Sequence, residues 1–129
     1  MIKIYVARQS RYPADTKNLK TRVKKTLQEN NVRDAQVNVI LVGERKMRDL
    51  AKQYLKEDDR YPLHEVLSFP TSQTKGDFVQ TGNILDLGDI FVCYPEARNI
   101  AMKRNRMVDD VLGELVEHST LHLLGIHHD

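Results

Sequence analysis

Three histidines near the end of the chain have the spacing of a metal site. His118, His122 and His128 form the pattern H-x3-H-x5-H. Residues four apart on a helix differ by about 40° in direction and about 6 Å in height, so His118 and His122 project side by side. A continued helix would carry His128 to another face, but Gly125 can end the helix and turn the chain back. Three imidazoles with one open position are typical of a catalytic zinc site rather than a structural one.

A core role is the alternative for these histidines. A 4-3-4 spacing joins His118 and His122 to Val111 and Leu115, which predicts that both histidines lie on the buried stripe of an amphipathic helix. A lone histidine on such a stripe is usually satisfied by one hydrogen bond in the core. Two histidines four residues apart, followed by a glycine and a third histidine, favour a metal instead.

The same spacing occurs in the metzincin protease pattern H-E-x-x-H-x-x-G-x-x-H, with one departure. Those enzymes have a glutamate as general base where this chain has Ser119. A hydroxyl cannot replace a carboxylate in that task, so peptide hydrolysis would need a carboxylate from elsewhere, such as Glu65. His127 is a candidate acid, base or alternative ligand. Glu114, one helical turn before His118, is a candidate for orienting a ligand ring.

The composition indicates one globular domain. The chain has 129 residues, of which 40% are hydrophobic and 29% charged, which suits a single core. No apolar run reaches the roughly 20 residues that span a bilayer, and the first residues lack the apolar core of a signal peptide. Cys93 is the only cysteine, so we expect no disulfide partner and a reducing, cytoplasmic environment. Its apolar neighbours predict a buried thiol.

Apolar periodicity predicts an α+β fold. The predicted strands are residues 2–7, 36–42, 66–69 and 85–93, and the predicted helices are 15–29, 44–55, 95–103 and one from about 108. The first strand, helix and strand predict a parallel pair, and the apolar run 85–93 predicts a central strand. The residues predicted to face inward from the second helix are Met47, Leu50, Ala51 and Tyr54. We therefore expect a single domain with a four-stranded mixed sheet covered by helices, the ligand helix packing across it.

Two features of the remaining sequence allow more than one interpretation. The polar residues 71–84 are either a long hairpin tip or a functional connection. The net charge is only +2, but basic residues cluster, and such clusters are either solvated helix faces or phosphate contacts. The clusters are Lys17, Lys20, Arg22, Lys24 and Lys25 in the first helix, and Lys103, Arg104 and Arg106 before the last.

Three segments together resemble the YbeY family, metal-dependent endoribonucleases that mature ribosomal RNA in bacteria. The terminal HSTLHLLGIHH resembles the family's H-G-x-L-H-L-x-G-Y-D-H, VLSFP at 66–70 is similar to the family's VLSFP segment, and LGDI at 87–90, with Pro95 and Glu96, resembles its LGDI…PE segment. The resemblance implies an α+β domain over residues 1–129 with one zinc ion on His118, His122 and His128. This chain departs from the family pattern at Ser119, where relatives have a glycine. Relatives also continue into a further helix after the position at which this chain ends.

The resemblance also implies a function. That function is zinc-dependent cleavage of single-stranded RNA in ribosomal RNA maturation and ribosome quality control, with ribosomal RNA and the ribosome or ribosomal proteins as partners and no membrane. The resemblance implies that the three histidines are catalytic. His127, which with Ile126 replaces the family's Tyr-Asp, is added as a catalytic candidate because it lies beside the third ligand. The family's RNA-contacting arginine is replaced by Leu55. The candidate RNA-binding residues are Lys56, Arg60, Arg104 and Arg106.

Two other functions stay open at this point. The protein could be a non-catalytic, ribosome-associated factor whose metal only holds the C-terminus, which a fourth ligand such as His127 or Asp129 would favour. It could also be a metallohydrolase of another phosphate ester or of a peptide. Imidazole sites accept nickel, cobalt or copper as well as zinc. Asp89 is expected to bond to backbone at a strand end, and the role of Ser68 is open.

Overall fold

The predicted helices and strands occur in the order that the sequence predicts. The computed structural model describes residues 1–71 and 84–126 and the backbone of residues 80 and 81. The elements are β1 (Ile2–Arg8), α1 (Thr16–Glu29), β2 (Ala35–Val42), α2 (Glu44–Leu55), β3 (Val66–Pro70), β4 (Gln80–Thr81), β5 (Ile84–Cys93), α3 (Tyr94–Arg104) and α4 (Val108–Leu123). Each predicted element is present, with its ends shifted by no more than one residue. None of the described helices is long and apolar enough to cross a membrane.

The sheet is mixed, and β5 lies inside it. Its strand order is β1-β2-β5-β3, and the two-residue β4 also pairs with β5. β1, β2 and β5 run parallel, whereas β3 and β4 are antiparallel to β5. The predictions of a parallel first pair and of a central position for β5 are therefore confirmed. Most of the predicted hairpin tip lies outside the described residues.

Alternate residues of the central strands face two apolar clusters on opposite sides of the sheet. The larger cluster contains Val39 and Ile90 and is completed by α1, α3 and α4. The smaller one contains Val42, Cys93 and Met47, the last of which belongs to α2. The α+β class is confirmed as one domain, with α4, the helix that carries the histidines, on the side of the larger cluster.

Helices α1 and α2 form for reasons that can be identified in the local sequence. Asp15 caps α1, since its Oδ1 accepts a hydrogen bond from the N–H of Asn18 at 3.1 Å. Met47 and Leu50 of α2 are buried as predicted. The inward position of Tyr54 is wrong, because its side chain is 47% exposed. The centroid of its ring lies 4.8 Å from that of Phe69 on the edge strand β3, where the Tyr54 side chain stays partly open to solvent.

Cys93 is a free thiol with no exposed surface, and its burial is the main cause that raises its pKa above the ordinary value. We expect the folded protein to resist alkylation by iodoacetamide at neutral pH, because the thiolate is the reactive form. After unfolding in guanidinium the same thiol should react completely. Mass spectrometry of the alkylated fraction measures the difference, and rapid modification of the folded protein would contradict it.

Candidate metal centre

Helix α4 is held on several sides. It contacts α1, α3, β3 and β5. Asp109 and Asp110 in its first turn suit the positive end of the helix dipole, and Asp109 also accepts a hydrogen bond from the N–H of Asp15 at 3.0 Å. The buried residues of the helix are Val111, Leu112, Gly113, Val116, Ser119, Thr120 and Leu123. This packing fixes the position of α4, and with it the position of the side chains in its second half that are not buried.

His118 and His122 lie side by side on this helix. Their ring centroids are 4.4 Å apart and their planes are inclined by 54°. Two imidazoles that hold one zinc ion at about 2.1 Å in tetrahedral geometry have ring centroids about 5 Å apart. The pair therefore fits two adjacent positions around one metal ion. His118 is exposed and His122 half-buried, so the pair can be reached from solvent.

The prediction that both histidines lie on the buried stripe is wrong for His118, which is exposed, whereas His122 is half-buried. The buried side of α4 is centred on Leu112, Val116 and Leu123, none of which is more than 2% exposed. At about 100° per residue, that centre is turned roughly 120° from the two histidines. Because α4 packs against two helices as well as the sheet, apolar residues lie round much of its circumference, and the 4-3-4 spacing does not single out the face that meets the sheet. A core role is therefore excluded for the exposed His118.

The chain turns at Gly125, as predicted. Gly125 has φ +80°, just after the end of α4. Its N–H donates to the carbonyl of His122 at 3.0 Å, and the N–H of Ile126 donates to the carbonyl of Leu121 at 2.9 Å. Together these bonds form a Schellman motif, in which a left-handed residue closes the helix. The left-handed backbone explains the glycine.

The third predicted ligand falls beyond the described part of the chain. His128 and its neighbours His127 and Asp129 lie outside the described residues, so their roles stay predictions. Within residues 1–71 and 84–126, no group of three or more His, Cys, Asp or Glu side chains could hold a metal ion. A three-imidazole site therefore needs a ligand from outside this part of the chain, and Gly125 lies between the described pair and His128.

Gly125→Ala is expected to weaken metal binding. A left-handed L-residue costs about 1–2 kcal/mol, and no atom lies within 4 Å of the position that the new Cβ would take, so only backbone strain acts. Relief of this strain would change the direction of the chain toward His128. Gly125→Asn is the matched control, since asparagine tolerates the left-handed conformation. Calorimetric titration with Zn²⁺ should show a loss for alanine and little change for asparagine, and equal affinities would contradict the role of the turn.

Two candidate side chains near α4 are paired with each other. Arg106 donates to both carboxylate oxygens of Glu114, at 2.7 and 2.6 Å. This hydrogen bonding is the main cause that lowers the pKa of Glu114 and raises the pKa of Arg106. Glu114 is therefore engaged by an arginine, and the idea that it orients a histidine ring is not supported. Arg104 is exposed, and its charge also lowers the pKa of Glu114.

Lys56 and Arg60 lie in the exposed loop after α2. Arg60 forms an ion pair with Asp58, Nη2 to Oδ2 at 2.7 Å, and side-chain hydrogen bonding from Arg60 is the main cause that lowers the pKa of Asp58. Lys56 closes α2 in the left-handed conformation, with φ 59°, and its Nζ lies 3.4 Å from the carbonyl oxygen of Gln53. Both side chains are thus on the surface, and Arg60 already has a carboxylate partner.

One polar residue that the sequence singled out on a strand, Asp89 of β5, has a side-chain partner on the neighbouring strand. Asp89 Oδ1 accepts a hydrogen bond from Asn38 Nδ2 at 3.0 Å, so the expected bond to backbone is wrong. The two residues are register partners on β5 and β2. Ser68 shares a strand face with Val66, which packs against the cluster that includes α4. Glu65 is exposed just before β3.

Three side-chain pairs were not indicated by any sequence pattern. His64 Nε2 lies 2.8 Å from both carboxylate oxygens of Glu57. Arg22 of α1 pairs with Asp110 and Glu117 of α4, each at 3.3 Å. Because these partners are separated by a loop or by most of the chain, no repeating pattern in the sequence links them. The chain has many residues of opposite charge, so charge alone does not identify which of them form a pair.

The fold and the site define a class of protein: a single α+β domain whose last described helix presents two adjacent imidazoles at the surface. Comparison with known proteins adds the family. A family model described as endoribonuclease YbeY matches residues 5–129. The chain therefore belongs to the YbeY family.

Individual relatives agree with this assignment. A protein described as endoribonuclease YbeY from Anaeromyxobacter sp. (strain Fw109-5) is 32% identical over 113 residues, which are 88% of this chain and 54% of the relative. One with the same description from Thermus thermophilus is 34% identical over 102 residues, 79% of this chain and 68% of the relative. The solution structure of TM1509 from Thermotoga maritima is similar with a TM-score of 0.59 and 28% identity, covering 98% of this chain and 75% of that one. This chain thus spans little more than half the length of the Anaeromyxobacter relative.

Proposed function

We propose that this protein is a metal-dependent endoribonuclease that cleaves single-stranded RNA in ribosomal RNA maturation. The observation that carries the proposal is the pair of imidazoles of His118 and His122, 4.4 Å apart on the outer side of α4. The choice of RNA as substrate is supported by the relatives, which are described as endoribonucleases. Ribosome quality control, with the ribosome or its proteins as partners, belongs to the same proposal. We place the protein in the reducing cytoplasm, since its only cysteine is a buried free thiol.

The metal we propose is one zinc ion on His118, His122 and His128, which another divalent transition metal could replace. When bound, zinc supplies a Lewis acid that lowers the pKa of a coordinated water to about 7. The rigid helix α4 orients the first two imidazoles, and the turn at Gly125 directs the chain toward the third. The exposure of His118 leaves this side of the centre open to solvent, as a hydrolytic site requires.

Basic side chains would bind the RNA backbone. Arg104 is exposed next to α4, and Lys56 is exposed in the loop after α2. Arg60 and Arg106 are already paired with carboxylates, and they could bind RNA phosphates only by sharing or breaking those ion pairs. We therefore expect them to contribute less to RNA binding than Arg104 and Lys56. Contacts to phosphates weaken steeply as salt is added. His127, beside the third ligand, is proposed as an acid or base for proton transfer.

Peptide hydrolysis is a weaker alternative. Ser119, which replaces the general base of the metzincin pattern, is 1% exposed and lies on the core side of α4. Glu114, a carboxylate one turn before His118, is held by Arg106. Ser119 faces the core and Glu114 is engaged by Arg106, so neither is free to take a proton beside the His118 and His122 imidazoles.

The proposal is tested by metal analysis of the purified protein combined with a cleavage assay on matched single-stranded and duplex RNA. We expect about one zinc ion per chain, and cleavage of the single strand that a chelator abolishes and added zinc restores. Metal binding without cleavage of either RNA would favour the non-catalytic, ribosome-associated role. Cleavage that persists after the metal has been removed would contradict the proposed mechanism.

A further inference from the structure

The side chain of Arg22 crosses α4 at Gly113. Arg22 lies on α1 and is 26% exposed. Its Nη2 lies 3.3 Å from Asp110 Oδ1 and its Nη1 3.3 Å from Glu117 Oε1. These carboxylates lie on either side of Gly113 along the helix, so the guanidinium bridges almost two turns of α4.

Gly113 is the residue that allows this crossing. A Cβ built there would lie 2.4 Å from both Cδ and Nη1 of Arg22 and 2.5 Å from its Cζ. Any side chain at position 113 would therefore displace Arg22. Glycine is among the least favourable residues in a helix interior, so its presence here needs a reason. The close approach of Arg22 supplies that reason.

The contact constrains α4 as a rigid body. Asp110 and Glu117 are seven residues apart, which is about 10 Å along the helix axis, so a bridge between their side chains resists both rotation about that axis and sliding along it. Glu117 is also the residue directly before His118. Rotation of α4 would move His118 and His122 together, because both are fixed to the same rigid turn of helix.

We propose that Arg22 is a positioning residue for the metal centre, and the inference rests on the proposed function. Its guanidinium, seated on Gly113, fixes the angle at which α4 presents the His118 and His122 rings. It also neutralises Glu117, whose free carboxylate would otherwise stand next to the first ligand and repel the phosphates of RNA. Arg22 does not touch the metal or the substrate.

An ordinary surface ion pair would not have this effect. Exposed ion pairs contribute little, because solvent screens the charges and long side chains lose freedom. This contact differs because it combines two carboxylates with a close approach to the helix backbone. Lysine cannot reproduce it, since an ammonium group lacks the planar fork that reaches both partners.

A double-substitution cycle on the full chain tests the contact. The variants are Gly113→Ala, Arg22→Ala and the combination, with Lys25→Ala of α1 as an exposed control whose partner is Glu29. Urea unfolding and Co²⁺ titration are measured for each. We expect Gly113→Ala to weaken Co²⁺ binding about tenfold, the lower end of the effects typical of residues that support metal ligands. The double variant should lose less than the sum of the single changes, because the clash exists only while Arg22 is present.

Arg22→Lys gives a second measurement should Gly113→Ala fail to fold. We expect it to weaken Co²⁺ binding several-fold while Lys25→Ala leaves the affinity unchanged. If the changes in the free energy of unfolding are additive in the cycle, the contact between Arg22 and Gly113 is overturned. If those changes are coupled but all variants bind Co²⁺ with equal affinity, the positioning role is overturned and the proposed metal site stays intact. Failure of the unsubstituted protein to bind Co²⁺ would instead overturn the metal site, and the positioning role with it.

Discussion

Replacement of either His118 or His122 by alanine is expected to abolish metal binding and RNA cleavage together. The two rings are adjacent on one side of α4, so each would supply one of three protein ligands. A site left with two imidazoles loses most of its affinity for zinc, because three protein ligands are the norm for a catalytic ion. His118 is exposed, so its loss should leave the fold unchanged. Metal content measured by mass spectrometry and cleavage of single-stranded RNA report the two effects separately.

Ser119→Ala is the matched control for the histidine substitutions. Ser119 lies directly after the first ligand but is 1% exposed on the core side of the helix. We therefore expect near-normal metal content and activity in this variant. Cleavage by a metal-free His122→Ala preparation would show that the activity comes from another site or from a contaminant.

Gly88→Ala is expected to destabilise the domain severely. Gly88 has φ +134°, and a Cβ there would lie 2.3 Å from the carbonyl oxygen of Phe69 and 2.9 Å from Cα of Pro70. Backbone strain and overpacking each cost about 1–3 kcal/mol, so we expect a loss of about 3 kcal/mol or more. That is a large part of the roughly 5–15 kcal/mol by which a domain is stable. Urea unfolding of the variant and the parent protein measures the loss.

Gly125→Ala serves as the comparison for Gly88→Ala. Both residues have positive φ, but nothing lies within 4 Å of a Cβ at Gly125. The Gly125 variant should therefore lose only the strain energy, about 1–2 kcal/mol. Equal losses for the two variants would mean that the close approach of β3 to Gly88 does not limit the choice of residue there.

The sequence predicted the fold well because its local signals agree with the tertiary structure. The first predicted helix begins at residue 15, and Asp15 caps α1 in the structure. The apolar run in β5 is the part of the sheet with neighbours on both sides. The parallel pairing of β1 with β2 followed from the helix between them. Patterns of period 2 and 3.6 depend only on neighbouring residues, and these patterns decide which elements form.

The same patterns fail where position depends on distant parts of the chain. Tyr54 continues the apolar stripe of α2, but it lies over the edge strand and stays exposed. The buried side of α4 depends on α1, α3 and the sheet together, so the outward direction of His118 could not be obtained from spacing alone. The contact between Arg22 and Gly113 joins two helices that are far apart in sequence.

The candidate site was predicted in part for the same reason. The adjacency of His118 and His122 and the turn at Gly125 are local properties of a helix and its end, and both are confirmed. The third ligand, His128, requires the path of the chain after the turn, and it stays a prediction. The pairing of Arg106 with Glu114 depends on how α3 meets α4, which short-range periodicity does not determine.

The most direct measurement is the crystal structure of the zinc-loaded protein, with the ion located by its anomalous scattering. We predict one ion about 2.1 Å from a ring nitrogen of each of His118, His122 and His128, with its fourth position held by solvent. The account would be contradicted if a fourth protein ligand such as His127 or Asp129 occupied the remaining position on the ion. It would also be contradicted if the ion were bound away from the His118 and His122 pair.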